Sequence, residues 1–379
     1  MERMMRHFRL WMVLGAAGFW ATAAPAQTLS VTPRGSTTLA GTTTDQNGNS
    51  FNITGLSGIA YVGQTVPGTY RYVAVMDNSN KLVKLDVQFA ANGTISSSTV
   101  AGGITLANAK DFEGIAYNAA NQSVFLSYED GPGVQEYKLS DGSLMQTVSI
   151  PTIFTNNLRS NFGFESLARN AAGTQMWTAN EEALTSDGAL STTSQGTIVR
   201  LQKFNVSGNT VTAGPQYGYQ TDKIHAAVNG DSNGYSRSGL SDLVVLPDGK
   251  MLALERSFAF NNYFFSSYGN RIYELDFAGA ADVSGLAGAN NGQPFGSYVT
   301  KSQLWTNQSL TSPGNLEGLA AGPQLTGGNY SLLGIVDDGD GISQNRLVAF
   351  ELTGVVVPEP SSLGLLGGIC VAQLMHRRR

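Results

Sequence analysis

The sequence predicts an all-β chain folded as a β-propeller. Three observations carry this: a four-residue pattern that recurs five times, two further strand-like runs behind each copy, and a composition rich in turn formers and poor in charge. The 379 residues include 45 glycines and only 13% charged residues. Glycine weakens helix interiors and suits tight turns, so short strands are favoured over helices.

The recurring pattern is a polar or acidic residue, a small or polar one, Ile or Leu, then Ala or Val. It appears as Ser57-Gly58-Ile59-Ala60, Glu113-Gly114-Ile115-Ala116, Glu165-Ser166-Leu167-Ala168, Ser241-Asp242-Leu243-Val244 and Glu317-Gly318-Leu319-Ala320. A second apolar run follows each copy and ends in acid, at Asp77, Glu129 and Asp130, Glu181 and Glu182, Glu255, and Asp337 and Asp338. A third run follows, as in Leu82-Val83-Lys84-Leu85 and Arg346 to Leu352. These runs are β-branched or aromatic and bounded by Gly, Asn, Asp or Ser, as strands are. Antiparallel sheets of three or four strands, stacked radially, form a propeller.

From Ile59 to Leu319 the markers are spaced 56, 52, 76 and 76 residues apart. Blades run at roughly 40 to 50 residues, so the two long intervals imply insertions or a degenerate extra blade. Six blades are expected, with the N-terminal strand closing the ring. A pair of β-sandwiches is the alternative, but it gives no reason for one acid-bearing pattern to recur five times.

The ends read differently. Residues 1–26 have the order of a secretory signal: Arg3, Arg6 and Arg9, an apolar stretch from Leu10 to Trp20, then Ala24-Pro25-Ala26. Residues 27–356 form the expected propeller domain, and residues 357–379 a tail. Val357-Pro358-Glu359-Pro360, a short apolar span expected as a helix, and Arg377-Arg378-Arg379 resemble the PEP-CTERM sorting signal of Gram-negative bacteria. That resemblance implies Sec export, transient membrane contact through the tail, processing by an exosortase-type enzyme, and a final place at the cell surface or outside the cell. A monomer is expected.

Composition narrows the chemistry. The net charge of −5 argues against a broad basic surface for nucleic acid. Cys370, in the tail, is the sole cysteine, and of His7, His225 and His376 only His225 lies within residues 27–356. A thiol nucleophile and a multi-histidine zinc site are thereby excluded from that region.

In a propeller the first strand of each blade lines a central channel, so Glu113, Glu165 and Glu317 converge near one mouth. The acids closing the second strands are expected on blade edges facing loops. Converging carboxylates repel unless protonated or neutralised, and oxygen ligands without His or Cys select Ca²⁺ or Mg²⁺. Three readings stay open: acids that cap turns or hold an ion that stiffens the ring, a functional metal or acid cluster, and plain solvated charge.

The stretch from Ser241 to Phe258, with its Pro247-Asp248-Gly249 turn, the Glu-Gly-Ile/Leu-Ala openings, and Asn270-Arg271-Ile272-Tyr273 together resemble the phytase-like family described by esterase-like activity of phytase. The resemblance implies a propeller and, by analogy, calcium-dependent phosphoester or ester hydrolysis. It singles out Asp242, Glu255, Arg256 and Arg271 as a catalytic set and Glu113, Glu165, Glu317 and Asp337 as metal ligands. Either arginine can clamp a phosphate or simply pair with a neighbouring acid. A non-catalytic propeller that binds glycan or protein is the rival.

Smaller features are weaker. Asn229 to Gly234 begins like a calcium loop but has Leu240 at its twelfth position, so a surface turn is expected. Asp337 to Gly341 is acidic enough to hold Ca²⁺. His225 is a candidate base, more simply read as a hydrogen-bonding residue. A serine esterase of the α/β-hydrolase kind is not expected.

Overall fold

The computed structural model describes residues 28–39, 41–262, 265–289, 295–339 and 343–357. The expected signal peptide at 1–26 and the sorting tail from Pro358 onward lie outside the described residues. Among the described residues no helix is long and apolar enough to cross a membrane.

β1 (Ser30–Thr38) precedes a small hairpin of β2 (Thr42–Thr44) and β3 (Ser50–Asn52). The first blade comprises β4 (Leu56–Val66), β5 (Thr69–Met76), β6 (Ser79–Phe89) and β7 (Ile95–Lys110). The second comprises β8 (Phe112–Asn118), β9 (Ser123–Tyr128), β10 (Gly133–Lys138) and β11 (Leu144–Val148). A helical turn, α1 (Thr152–Asn156), leads to the third, β12 (Ala168–Arg169), β13 (Gln175–Ala179), β14 (Ile198–Ser207) and β15 (Thr210–Gln220). The fourth holds β16 (Arg237–Val245), β17 (Met251–Ala259), β18 (Ser267–Asp276) and β19 (Thr300–Ser309). In the fifth, β20 (Leu316–Gln324), β21 (Tyr330–Val336) and β22 (Arg346–Thr353) are completed by β1 as the outer strand. Ser30 pairs with Thr353 and Thr38 with Arg346, so the N-terminal strand closes the ring as expected.

The described residues form five blades, which corrects the expected six. The long marker intervals are loops. One lies between β13 and β14, another between β15 and β16, and a third between β18 and β19. Fully buried Arg200 on β14 stitches two of them down: Nε and Nη2 reach Asp187 at 2.7 and 2.8 Å, while Nη1 and Nη2 donate to the carbonyls of Val283 and Leu286 at 3.1 Å. A buried guanidinium that lost one of these partners would be strongly unfavourable, so the insertions fold as one unit.

Each junction between neighbouring blades has its own apolar core. Between the fifth and first, Ala320, Leu333 and Ile335 pack on Leu56, Ile59 and Tyr72; between the first and second, Ala60 and Val75 pack on Phe112 and Ile115. The remaining three repeat this arrangement, with Ala116 beside Leu167, Ala168 beside Leu243, and Val244 beside Leu319. Alternation along a strand explains the pattern. The Ile or Leu of each inner strand faces the preceding blade and the Ala or Val faces the following one.

The second position of the pattern sits where inner strands meet backbone to backbone. A Cβ at Gly114 would lie 2.3 Å from the Leu167 nitrogen, and one at Gly58 2.3 Å from the Glu113 carbonyl oxygen. We expect Gly114→Ala to cost about 1–3 kcal/mol through overpacking, read as a lower urea midpoint. Gly285→Ala, with nothing within 4 Å, serves as the neutral control. Equal midpoints for the two variants would mean that the inner ring is not packed this tightly.

Candidate metal centre

Every inner strand carries one residue more than its partner at the end where it enters the channel. Leu56 pairs with Met76 but Ile59 with Ala74, and Phe112 pairs with Tyr128 but Ile115 with Leu126. The fourth and fifth blades bulge likewise, between Leu240 and Asp242 and between Leu316 and Gly318. In the third blade Phe164 bridges Asn180 while Ala168 pairs with Trp177. Such bulges re-aim side chains at the rims of barrels and propellers.

This register places two rings of residues at one mouth. The first is Ser57, Glu113, Glu165, Ser241 and Glu317; the second is Asp77, Glu129, Glu181, Arg256 and Asp337. Three carboxylates in one ring and four in the other surround one arginine. Glu113, Glu129, Glu165, Glu181 and Asp337 are buried, and Asp77 and Glu317 half-buried. Beyond the mouth the channel turns apolar, with a cavity of about 470 Å³ lined by Ile59, Ile115, Leu167, Leu243 and Leu319.

Arg256 spans the mouth. Nη2 donates to Glu181 at 2.8 Å, and Nη1 to Glu317 at 2.7 Å and to the Asn315 side chain at 3.0 Å. The Asn315 amide in turn donates to Glu317 at 2.8 Å and Asp337 at 3.0 Å. Across the ring the Ser57 hydroxyl donates to Glu113, and the Gly163 amide donates to Glu129 at 3.2 Å. One arginine does not balance the charge. Two groups, Asp111 with Glu113 and Glu129, and Glu129 with Glu165 and Glu181, each bring carboxylate oxygens within 4.8 Å of one another.

Burial and mutual repulsion raise Asp77, Glu113, Glu129, Glu165, Glu317 and Asp337 above the usual carboxylate range. Glu129 is pushed up to about 8, first by burial and then by Glu181. Glu317 also rises to about 8 through burial, against the pull of Arg256, and Asp77 to about 6 through burial and Asp337. Glu113 and Glu165 stand well above the usual carboxylate range, again through burial first and neighbouring acids second. The titration of these acids belongs to the cluster rather than to single residues.

All four metal ligands expected from the sequence, Glu113, Glu165, Glu317 and Asp337, come together here. Asp77, Glu129, Glu181 and Asp337, which close four of the second strands, also face the channel, instead of the loops as expected. The bulges bring Asp77, Glu129 and Glu181 over the mouth. The extra inner-strand residue that does this leaves no mark in composition or periodicity.

The expected catalytic set is divided among three places. Only Arg256 is at the mouth. Leu240 pairs with Glu255 as Leu56 pairs with Met76, so Arg256, and not Glu255, aligns with Asp77. Glu255 points to the opposite face of β17, where it accepts from the Tyr219 hydroxyl at 2.6 Å, the Asp222 amide at 2.9 Å, and Lys301. Arg271 lies 3.7 Å from Glu255 in this same junction. Lys301 also pairs with Asp222 at 2.8 Å and sits over the Tyr219 and Tyr273 rings. Balanced in this way, the group knots the third and fourth blades together. Asp242 is a strut: buried, and pushed up to about 8 by burial, it accepts the amides of Leu319 at 2.7 Å and Leu243 at 2.8 Å.

The loops resolve as well. Asp231 accepts the Tyr235 and Ser236 amides at 2.9 and 2.7 Å, closing a surface turn. Asp338 accepts from the Thr54 hydroxyl, the Gly55 amide and the Asn345 side chain, each at 2.8 Å, while residues 340–342 lie outside the described residues.

A family model for phytase-like proteins, described by esterase-like activity of phytase, matches residues 52–340. No curated protein sequence matches the chain. Solved structures similar to it include the periplasmic gluconolactonase of Pseudomonas aeruginosa, 11% identical over 87% of this chain and 100% of that one, with a TM-score of 0.35. Regucalcin, a calcium-binding protein from Agrobacterium tumefaciens, is 11% identical over 83% and 95% of the two chains, also at 0.35. A luciferin-regenerating enzyme is 8% identical over 85% and 95%, at 0.36. The family match spans about three quarters of the sequence and reaches into all five blades, leaving out β1 and β22, and the chain belongs to the phytase-like family.

Proposed function

We propose that the acid-lined mouth binds Ca²⁺ and that the protein is a metal-dependent hydrolase of phosphoric or carboxylic esters. One observation carries this reading: seven carboxylates from four blades crowd a desolvated mouth that holds a single arginine. The donors are oxygens throughout, which suits a hard divalent cation. Glu129, shared by the two close groups, would hold it together with Glu113 and Asp111 or with Glu165 and Glu181. A bound cation supplies Lewis-acid polarisation and neutralises negative charge.

The chain's own residues do the rest. Arg256 fixes Glu181 and Glu317 on opposite sides of the mouth. The apolar cavity beyond keeps the acids out of bulk water, which strengthens every charge interaction at the mouth. The two sequence ends suggest export and tail processing by an exosortase-type enzyme. In that setting the protein would work outside the cell, where calcium is abundant. A second reading, in which the ion only clamps the ring, draws on the origin of the acids in separate blades.

Hydrolysis of p-nitrophenyl phosphate and p-nitrophenyl acetate is expected with Ca²⁺ and not with EDTA. No turnover together with a Ca²⁺-dependent rise in melting temperature would favour the clamp. Glu129→Gln is expected to abolish calorimetric Ca²⁺ binding, and unchanged binding would move the site elsewhere.

The raised carboxyl pKa values set the sign of a pH effect. The folded protein keeps protons that the unfolded chain has released, so metal-free stability is full near pH 4 and falls as pH rises through about 6 to 8. Ca²⁺ is expected to reverse that fall by displacing the protons, as melting curves at pH 5, 7 and 9 would register. Arg256→Gln should lower metal-free stability by about 3–5 kcal/mol at pH 8 and by less at pH 5, measured by urea denaturation.

A further inference from the structure

A second arrangement of reactive groups lies on the outer part of the fourth blade, where β17 and β18 form a hairpin whose register pairs Glu255 with Arg271, Ser257 with Gly269, and Ala259 with Ser267. Alternate residues share a face, so Ser257, Gly269, Ser267 and Arg271 look the same way. His225, from the connector between β15 and β16, lies flat on this face. It fits because position 269 is glycine: a Cβ there would be 2.4 Å from the imidazole Cγ. Both ring nitrogens are engaged, Nδ1 with the Ser257 hydroxyl at 3.0 Å and Nε2 with the Ser267 hydroxyl at 2.9 Å.

We propose that Ser267 and His225 form a nucleophile and base pair that hydrolyses small carboxylic esters without a metal, apart from the acid mouth. The pair has the required order of a nucleophile within reach of a base that a third group orients. Ser257 is that third group. Its oxygen already faces the His225 backbone amide at 3.3 Å, so it acts there as an acceptor; accepting Nδ1–H as well leaves the Nε2 lone pair directed at Ser267. Ser257 is fully buried, whereas Ser267 is partly exposed, as a nucleophile must be.

The surroundings agree with this role. Burial first, and then the charge of Arg271, push the imidazole down to about 4, so at neutral pH it is uncharged, though a weaker base than an exposed histidine. On the His225 side of the pair, Thr193 and the segment from Lys223 to Val228 border a cavity of about 470 Å³, which Ser267 itself does not line. Arg271 is 8% exposed, and its Nη1 has no hydrogen-bond acceptor. It is a buried donor on the same face.

In the reaction the Ser267 Oγ–H proton passes to Nε2 while Oγ bonds to the ester carbon and the carbonyl electron pair moves onto its oxygen. The pair returns, the bond to the alcohol oxygen breaks, and that oxygen takes the proton from Nε2. Water repeats the sequence on the acyl-serine, giving the acid and restoring Ser267.

The test uses the full chain in EDTA, which silences the mouth. p-Nitrophenyl butyrate is expected to turn over, and a fluorophosphonate probe to modify Ser267, located by peptide mass spectrometry on the unaltered protein. Ser267→Ala should remove both signals, and His225→Gln should lower the rate by about 10²-fold or more. Ser257→Ala should lower kcat with KM unchanged. Calcium-dependent turnover should survive Ser267→Ala, so failure of one reading is distinguishable from failure of the other. Absence of EDTA-resistant turnover, absence of the adduct, or a Ser267→Ala rate equal to that of the unaltered protein would overturn the proposal and make the histidine a structural tie.

Discussion

The approach of five inner strands around one axis governs the rest of this structure. With only five sheets to close the circle, neighbouring strands meet at the level of their backbones, as the contact of Gly114 with Leu167 records. A full pleat does not fit there, and each inner strand takes up an extra residue. The bulge then decides what faces the axis. Two rings of side chains are driven to one end of a narrow, otherwise apolar channel, and because most are carboxylates the same constraint that closes the fold concentrates negative charge.

That charge has no ready relief among the described residues. Arg200 is committed to Asp187 and to two loop carbonyls. Lys301 is committed to Glu255 and Asp222. Among the described residues Arg256 alone serves the mouth, where burial raises most of the carboxyls above their usual range. Structural ion pairs elsewhere in the molecule are matched in number and geometry, and the mouth is not. The asymmetry separates residues that hold blades together from residues disposed to meet something from outside.

Much of the architecture was legible because repetition amplifies a weak signal. The Ile or Leu followed by Ala or Val in each inner strand reports on which junction each side chain enters, and five copies made the strand order clear. Blade number was not legible, because length alone does not distinguish a degenerate blade from insertions that a buried Arg200 pins together. The convergence of Glu113, Glu165 and Glu317 on one mouth was legible from their position in the repeat, and that of Asp337, which closes a second strand, was not. Glu255 and Arg256 were grouped although adjacent strand residues face opposite ways, and the bulge that puts Arg256 in the ring leaves no mark in composition or periodicity. Asp242 looked reactive as an isolated acid. Only its contacts, the Leu243 amide beside it on β16 and the Leu319 amide on β20, identify it as a strut.

The pairing of β1 with β22 has a geometric consequence. Ser30 lies opposite Thr353, and the Val356 amide reaches Asp248 in the turn between β16 and β17, so the described chain both enters and leaves on the face away from the acid rings. A molecule held to a surface by the segment following Val357 would stand with its charged opening turned outward, towards whatever diffuses past. Orientation would then follow from chain topology, with no second contact needed to set it.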